Sequence, residues 1–75
     1  MAFRFSRQLV LPLFLQSQIS VRELARRSGV NPRTAERAVN GLSVSSSVVD
    51  KVARALGIDG DNVLKFLVAP TVAQI

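Results

Sequence analysis

Two helix starts and two helix stops crowd the middle of this chain and leave little freedom in how it folds. Ser20-Val21-Arg22-Glu23 has the spacing of a capping box. The serine hydroxyl accepts from the glutamate N–H while the glutamate side chain reaches back to the serine. Gly29 follows at a helix exit, where a residue of positive φ is usually needed. Asn31-Pro32 then opens a second helix, with an N-cap residue followed by a proline at the first helical position, where its missing N–H costs nothing. Gly41 closes that helix. On the first helix Leu24, Ala25 and Ser28 fall on the inner face. On the second, Ala35, Ala38 and Val39 do. Arg33, Glu36, Arg37 and Asn40 lie opposite, at i, i+3, i+4 and i+7.

Helical spacing extends over the rest of the chain, and no stretch alternates apolar and polar residues over a useful length. Residues 4–17 read as a first helix with Leu9, Leu13, Phe14 and Phe5 inward. Pro12 either kinks that helix or marks where it restarts. One serine of the Ser43–Ser47 stretch caps a fourth helix running to Leu56, with Gly57 as its stop. Its apolar stripe is Val48 or Val49, Val52, Ala53 and Leu56. Asp59 then caps a fifth helix through about Val68, with Val63, Leu64 and Leu67 inward and Phe66 at the margin. Pro70 ends the helical part, and a tail from about 69 to 75 carries Val72 and Ile75, either frayed or used in self-association. The expectation is an all-α chain whose 75 residues form one domain, since two cores would not fit.

Composition removes several function classes. The chain has no Cys and no His. That excludes a disulfide scaffold, a thiolate nucleophile, a zinc site of the usual kind and histidine acid–base chemistry. Its five carboxylates are too dispersed for a paired catalytic site, so neither an enzyme nor a metal, cofactor or small-molecule site is expected. No apolar run approaches the roughly 18 residues of a membrane span. Arg4 and Arg7 ahead of Leu9–Leu15 imitate a short signal peptide, but no small-residue cleavage site follows and the segment is needed as core. Cytoplasm is the expected location, with no membrane partner.

Charge is distributed unevenly. Seven arginines against Glu23 and Glu36 place the whole net charge of +5 in residues 1–41, while residues 42–75 are balanced. This asymmetry points to an anionic partner. Eight of the ten basic residues are Arg, whose planar fork suits phosphate and base edges better than an ammonium.

Two short helices over about 20–41 with a tight turn between them have helix-turn-helix geometry, the second being the recognition helix. The run Val21-Arg22-Glu23-Leu24-Ala25-Arg26-Arg27-Ser28-Gly29-Val30 with Thr34, Arg37 and Asn40-Gly41 resembles the Cro/CI-type (lambda-repressor-like) helix-turn-helix family of phage and bacterial regulators. The likeness continues through Lys51–Ile58 and Asp59–Leu67, and covers roughly residues 5–68. It implies a compact five-helix domain, with Ala25 at the helix crossing, Gly29 in the turn and Val30 as the plug behind it. It also implies a reading face of Val21, Pro32, Arg33, Glu36 and Arg37, with Asn40, Arg22 and Arg26 near the phosphates. Arg27 belongs to the same basic cluster.

The chain departs from that pattern at several points. Family members often have Gln where Val21 and Pro32 stand, and Lys or Arg in the loop that here reads Leu42-Ser43-Val44-Ser45. Glu36 on a DNA-facing surface requires a cytosine amino group or pairing with Arg33. Val21, Pro32, Leu42 and Val44 would form an exposed apolar patch of the kind that marks a protein contact. Two readings follow. One is a Cro-like regulator binding operator DNA as a homodimer. The other is an antirepressor or modulator that binds a partner repressor's DNA-binding domain and blocks its operator face, its arginines pairing with that partner's acidic side chains.

Overall fold

A computed structural model describes residues 2–68 of the chain. The expectations for the tail from 69 onward, including Pro70 and self-association, lie outside these residues. Four α-helices and a terminal 3₁₀ helix, Gly60–Phe66, make up most of the fold. The α-helices are α1 (Arg7–Gln16), α2 (Val21–Ser28), α3 (Pro32–Val39) and α4 (Ser46–Ala55). Two two-residue strands, β1 (Ala2–Phe3) and β2 (Val44–Ser45), pair antiparallel with Ala2 opposite Ser45 and Phe3 opposite Val44.

The central helices form where their caps require. Ser20 Oγ accepts from Glu23 N–H at 3.0 Å, and Asn31 Oδ1 accepts from Arg33 N–H at 2.8 Å. Gly29 leaves α2 at φ 76°, and its N–H closes on Ala25 O at 2.8 Å. Ser45 caps α4 by accepting from Val48 N–H at 3.3 Å. Only half of the expected capping box is made. The Glu23 side chain turns outward to Arg26 and Arg27 instead of back to Ser20.

Ala25, Ala35 and Ala38 are buried at the core and give the helices small side chains to pack across. Leu24, Val39 and Val52 fill the space around them and are essentially inaccessible. Burying a side chain such as Leu24 contributes roughly 1.5–3 kcal/mol relative to leaving it exposed. Val30 is half-buried rather than fully so. Ser28, buried as expected, returns its hydroxyl to Leu24 O at 2.7 Å and so leaves no orphaned donor.

The N-terminal segment departs from expectation. Residues 2–5 are not the start of α1 but an extended strap. Phe5 is fully buried and bridges Leu67, with Ser6 N–H donating to Phe66 O and Val68 N–H to Arg4 O. The signal for this was short but present: Phe3 and Phe5 flank Arg4 with a period of two. The inward face of α1 is Val10 and Phe14, with Leu13 half-buried beside them, while Leu9 is 49% exposed. Pro12 lies inside α1 without ending it. It sits on the exposed side, as does Gln8, whose carbonyl loses its usual i+4 donor at this proline.

Two other expectations are corrected. Leu64 is 78% exposed, because the last helix is 3₁₀ and places Val63 and Phe66, three residues apart, on the inner side. Asp59 makes no side-chain cap there; its carbonyl accepts from Asn62 N–H at 2.8 Å. Val44 is buried under the β1 pairing and therefore is not part of an exposed patch. No described helix is long and apolar enough to cross a membrane.

Candidate nucleic-acid interface

α3 turns its alanines and Val39 into the core, which obliges the residues between them to face outward. Pro32, Arg33, Glu36 and Arg37 are all exposed, along one face and at the N-terminal start of the helix. Of the four residues that the helical spacing predicts to share a face, Arg33, Glu36 and Arg37 are exposed together, while Asn40 is half-buried at the helix end. The Asn31 cap and Pro32 fix where that surface begins.

Their side chains differ in how they are held. The Arg33 guanidinium makes no hydrogen bond or ion pair among the described residues, and the possible pairing of Arg33 with Glu36 is not formed. Arg37 reaches past the helix end and donates to Ser43 O at 3.0 Å. That bond fixes the guanidinium against the loop after α3 while leaving its remaining donors open. Asn40 is half-buried, and its Nδ2 donates to Glu36 O at 2.9 Å, so it serves first to close the helix.

α2 contributes a second set. Arg22 is exposed, with no partner among the described residues. Arg26 and Arg27 both close on Glu23, through Arg26 Nε at 3.0 Å and Arg27 Nε at 2.8 Å. Hydrogen bonds from Arg26 first and Arg27 second hold the Glu23 carboxyl down to about 2, and the same contact makes Arg26 hold its proton more tightly. One carboxylate therefore offsets part of the charge of two guanidiniums. Arg22, Arg33 and Arg37 carry no such offset. Val21 is half-buried and packs against the core, leaving only part of its surface for any partner. Leu42 remains 47% exposed beyond the end of α3.

The strap supplies a group the sequence did not place here. Arg4 Nε donates to Gly41 O at 3.2 Å across 37 residues of chain. Gly41, at φ 78°, lies so close that an added Cβ would be 3.2 Å from both Arg7 Cβ and Phe5 O. Arg4 and Arg7 are thus neighbours of the loop that ends α3. No local spacing signals this, because the contact depends on β1 pairing with β2.

A family model described as the Cro/C1-type HTH DNA-binding domain matches residues 13–66. It spans α2, the turn, α3 and α4 whole, and begins within α1, so the strap lies outside it. No curated protein and no solved structure matches the chain.

Proposed function

The chain belongs to the Cro/C1-type helix-turn-helix DNA-binding domain family, and from that premise we propose that it is a small transcriptional regulator of the phage genetic-switch type. The observation that carries this reading is the outer face of α3, where Arg33 is exposed and uncommitted beside an Arg37 already anchored to Ser43 O. In a major groove, Arg33 and Arg37 are the donors for guanine edges, the commonest specific contact. Glu36 accepts from a cytosine amino group. Arg22 and Arg26 flank the phosphates and set register rather than sequence. Asn40 supports the end of α3, and Pro32 and Val21 shape its entrance. A two-fold operator calls for a homodimer.

A second reading is favoured by one observation. Leu42 stays 47% exposed past the end of α3, and Pro32 is exposed at the other end. Apolar groups bracketing a basic face suit a protein partner, here the DNA-binding domain of a repressor with acidic side chains near its own reading helix.

Titration against the DNA upstream of its own gene and against a scrambled duplex, at two salt concentrations, tests the first reading. Sequence-selective binding that weakens steeply with salt is the expected result. If binding is absent or indifferent to sequence while the protein releases a neighbouring repressor from its operator, the second reading replaces the first.

A further inference from the structure

We propose that Arg4 of the N-terminal strap and Arg7 at the start of α1 bind DNA backbone phosphate beside the loop that follows α3. The proposal rests on the DNA-binding reading above and extends the contact surface to a part of the chain that the family match does not cover.

The loop itself carries no charge. From Gly41 to Val49 there is no acidic or basic side chain. The fold brings guanidiniums to it from two directions. Arg37 comes from α3 and donates to Ser43 O at 3.0 Å. Arg4 comes from the strap and donates to Gly41 O at 3.2 Å. Arg7 begins α1 against the same glycine, whose added Cβ would meet the Arg7 Cβ at 3.2 Å.

Both anchors are neutral carbonyls, so neither bond cancels charge. This differs from Arg26 and Arg27, which share Glu23, and from Arg54, which lies 3.4 Å from Asp50. Arg4, Arg7 and Arg37 form no ion pair among the described residues. An arginine that spends one donor on a carbonyl keeps four others in a planar fork, the geometry that meets a phosphate. Arg4 and Arg7 are exposed, and the β1–β2 pairing and the burial of Phe5 hold the strap in place. Two guanidiniums anchored on one uncharged loop next to α3, with exposed Arg7 rooted against the same glycine, make a site for the phosphates that flank the groove α3 enters.

The experiment is a salt series of binding to a short mixed-sequence duplex by fluorescence anisotropy. It needs no operator, because phosphate contacts act on any sequence. The wild type is compared with Arg4→Ala/Arg7→Ala, Arg4→Lys and Arg54→Ala, each checked by thermal melting. Removing one phosphate-binding side chain reduces the slope of log affinity against log salt by about 0.9, so the double variant is expected to lower it by about 1.8. Arg4→Lys keeps the charge without the fork and is expected to keep the slope. Arg54→Ala removes a charge on α4 and is expected to leave the slope unchanged. A double variant with wild-type slope overturns the phosphate role while leaving DNA binding intact. An equal reduction in Arg54→Ala overturns it too, by showing that only total charge matters. A wild type that binds no duplex at any salt removes the DNA reading itself, and the proposal with it.

Discussion

The α2–turn–α3 unit and the segments that close around it are built by different rules. In the unit, each helix end is fixed by a residue within three or four positions of the groups it satisfies: Ser20 for α2, Asn31 and Pro32 for α3, Gly29 between them. In the closing segments, the strap and the 3₁₀ helix, the decisive contacts join residues 37 or more positions apart. Phe5 bridges Leu67, and Arg4 reaches Gly41. The first region is determined locally and the second by the tertiary structure it completes. α3 is therefore specified by contacts close in sequence, and the surface that borders it by contacts far apart in sequence.

The sharpest challenge to this comparison is to remove the strap's anchor. Phe5 is fully buried, as is Leu24 of the helix-turn-helix unit. If the strap is core rather than appendage, Phe5→Ala costs about 3–5 kcal/mol, as large-to-small changes at packed aromatic sites do. Urea unfolding followed by circular dichroism measures this. A loss below about 1 kcal/mol would show that the strap only rests on a finished domain.

A smaller effect separates the two glycines. Both have left-handed backbones, at φ 76° for Gly29 and φ 78° for Gly41. An added Cβ meets nothing within 4 Å at Gly29 but meets Arg7 Cβ and Phe5 O at 3.2 Å at Gly41. Gly29→Ala thus bears only the backbone strain, roughly 1–2 kcal/mol. Gly41→Ala adds overpacking and is expected to cost roughly 1–3 kcal/mol more. Equal losses in the two variants would mean that the strap yields freely to the added methyl group.

The same division explains what could be read from the sequence. The helix-turn-helix was legible because capping and glycine exits are short-range chemistry. Arg33, Glu36 and Arg37 were legible as one face because Ala35, Ala38 and Val39 fix which side of α3 is inside; Asn40, read onto the same face, is half-buried where the helix ends. Leu9 and Leu64 escape a sequence reading because their orientation depends on how α1 docks on the core and on whether the helix at Gly60–Phe66 is α or 3₁₀. Val44 reads as loop surface because its burial comes from pairing with Phe3, far away in sequence. Arg4 reads only as a charge because nothing near it in sequence points to Gly41.

The smallest effect lies within the locally determined region and is a matter of pH. Glu23, 29% exposed at its side chain, is held at about 2 by hydrogen bonds from Arg26 and Arg27, against 4.5 for an unperturbed group. A carboxyl whose folded value is depressed contributes stability above its unfolded value and loses it as pH falls through the folded one. Wild type and Glu23→Gln, compared by thermal melting, should therefore differ most above about pH 4.5 and converge as pH falls toward about 2. The pair is near the surface, so added salt should narrow the gap. A gap that is constant with pH would mean that Glu23 acts through its position in the first turn of α2 and not through its charge. The substitution also frees Arg26 and Arg27 from their shared carboxylate. If α2 flanks phosphates, Glu23→Gln should therefore bind duplex DNA with a steeper salt dependence even as it melts earlier. A loss of stability without that steeper dependence would confine Arg26 and Arg27 to a structural role.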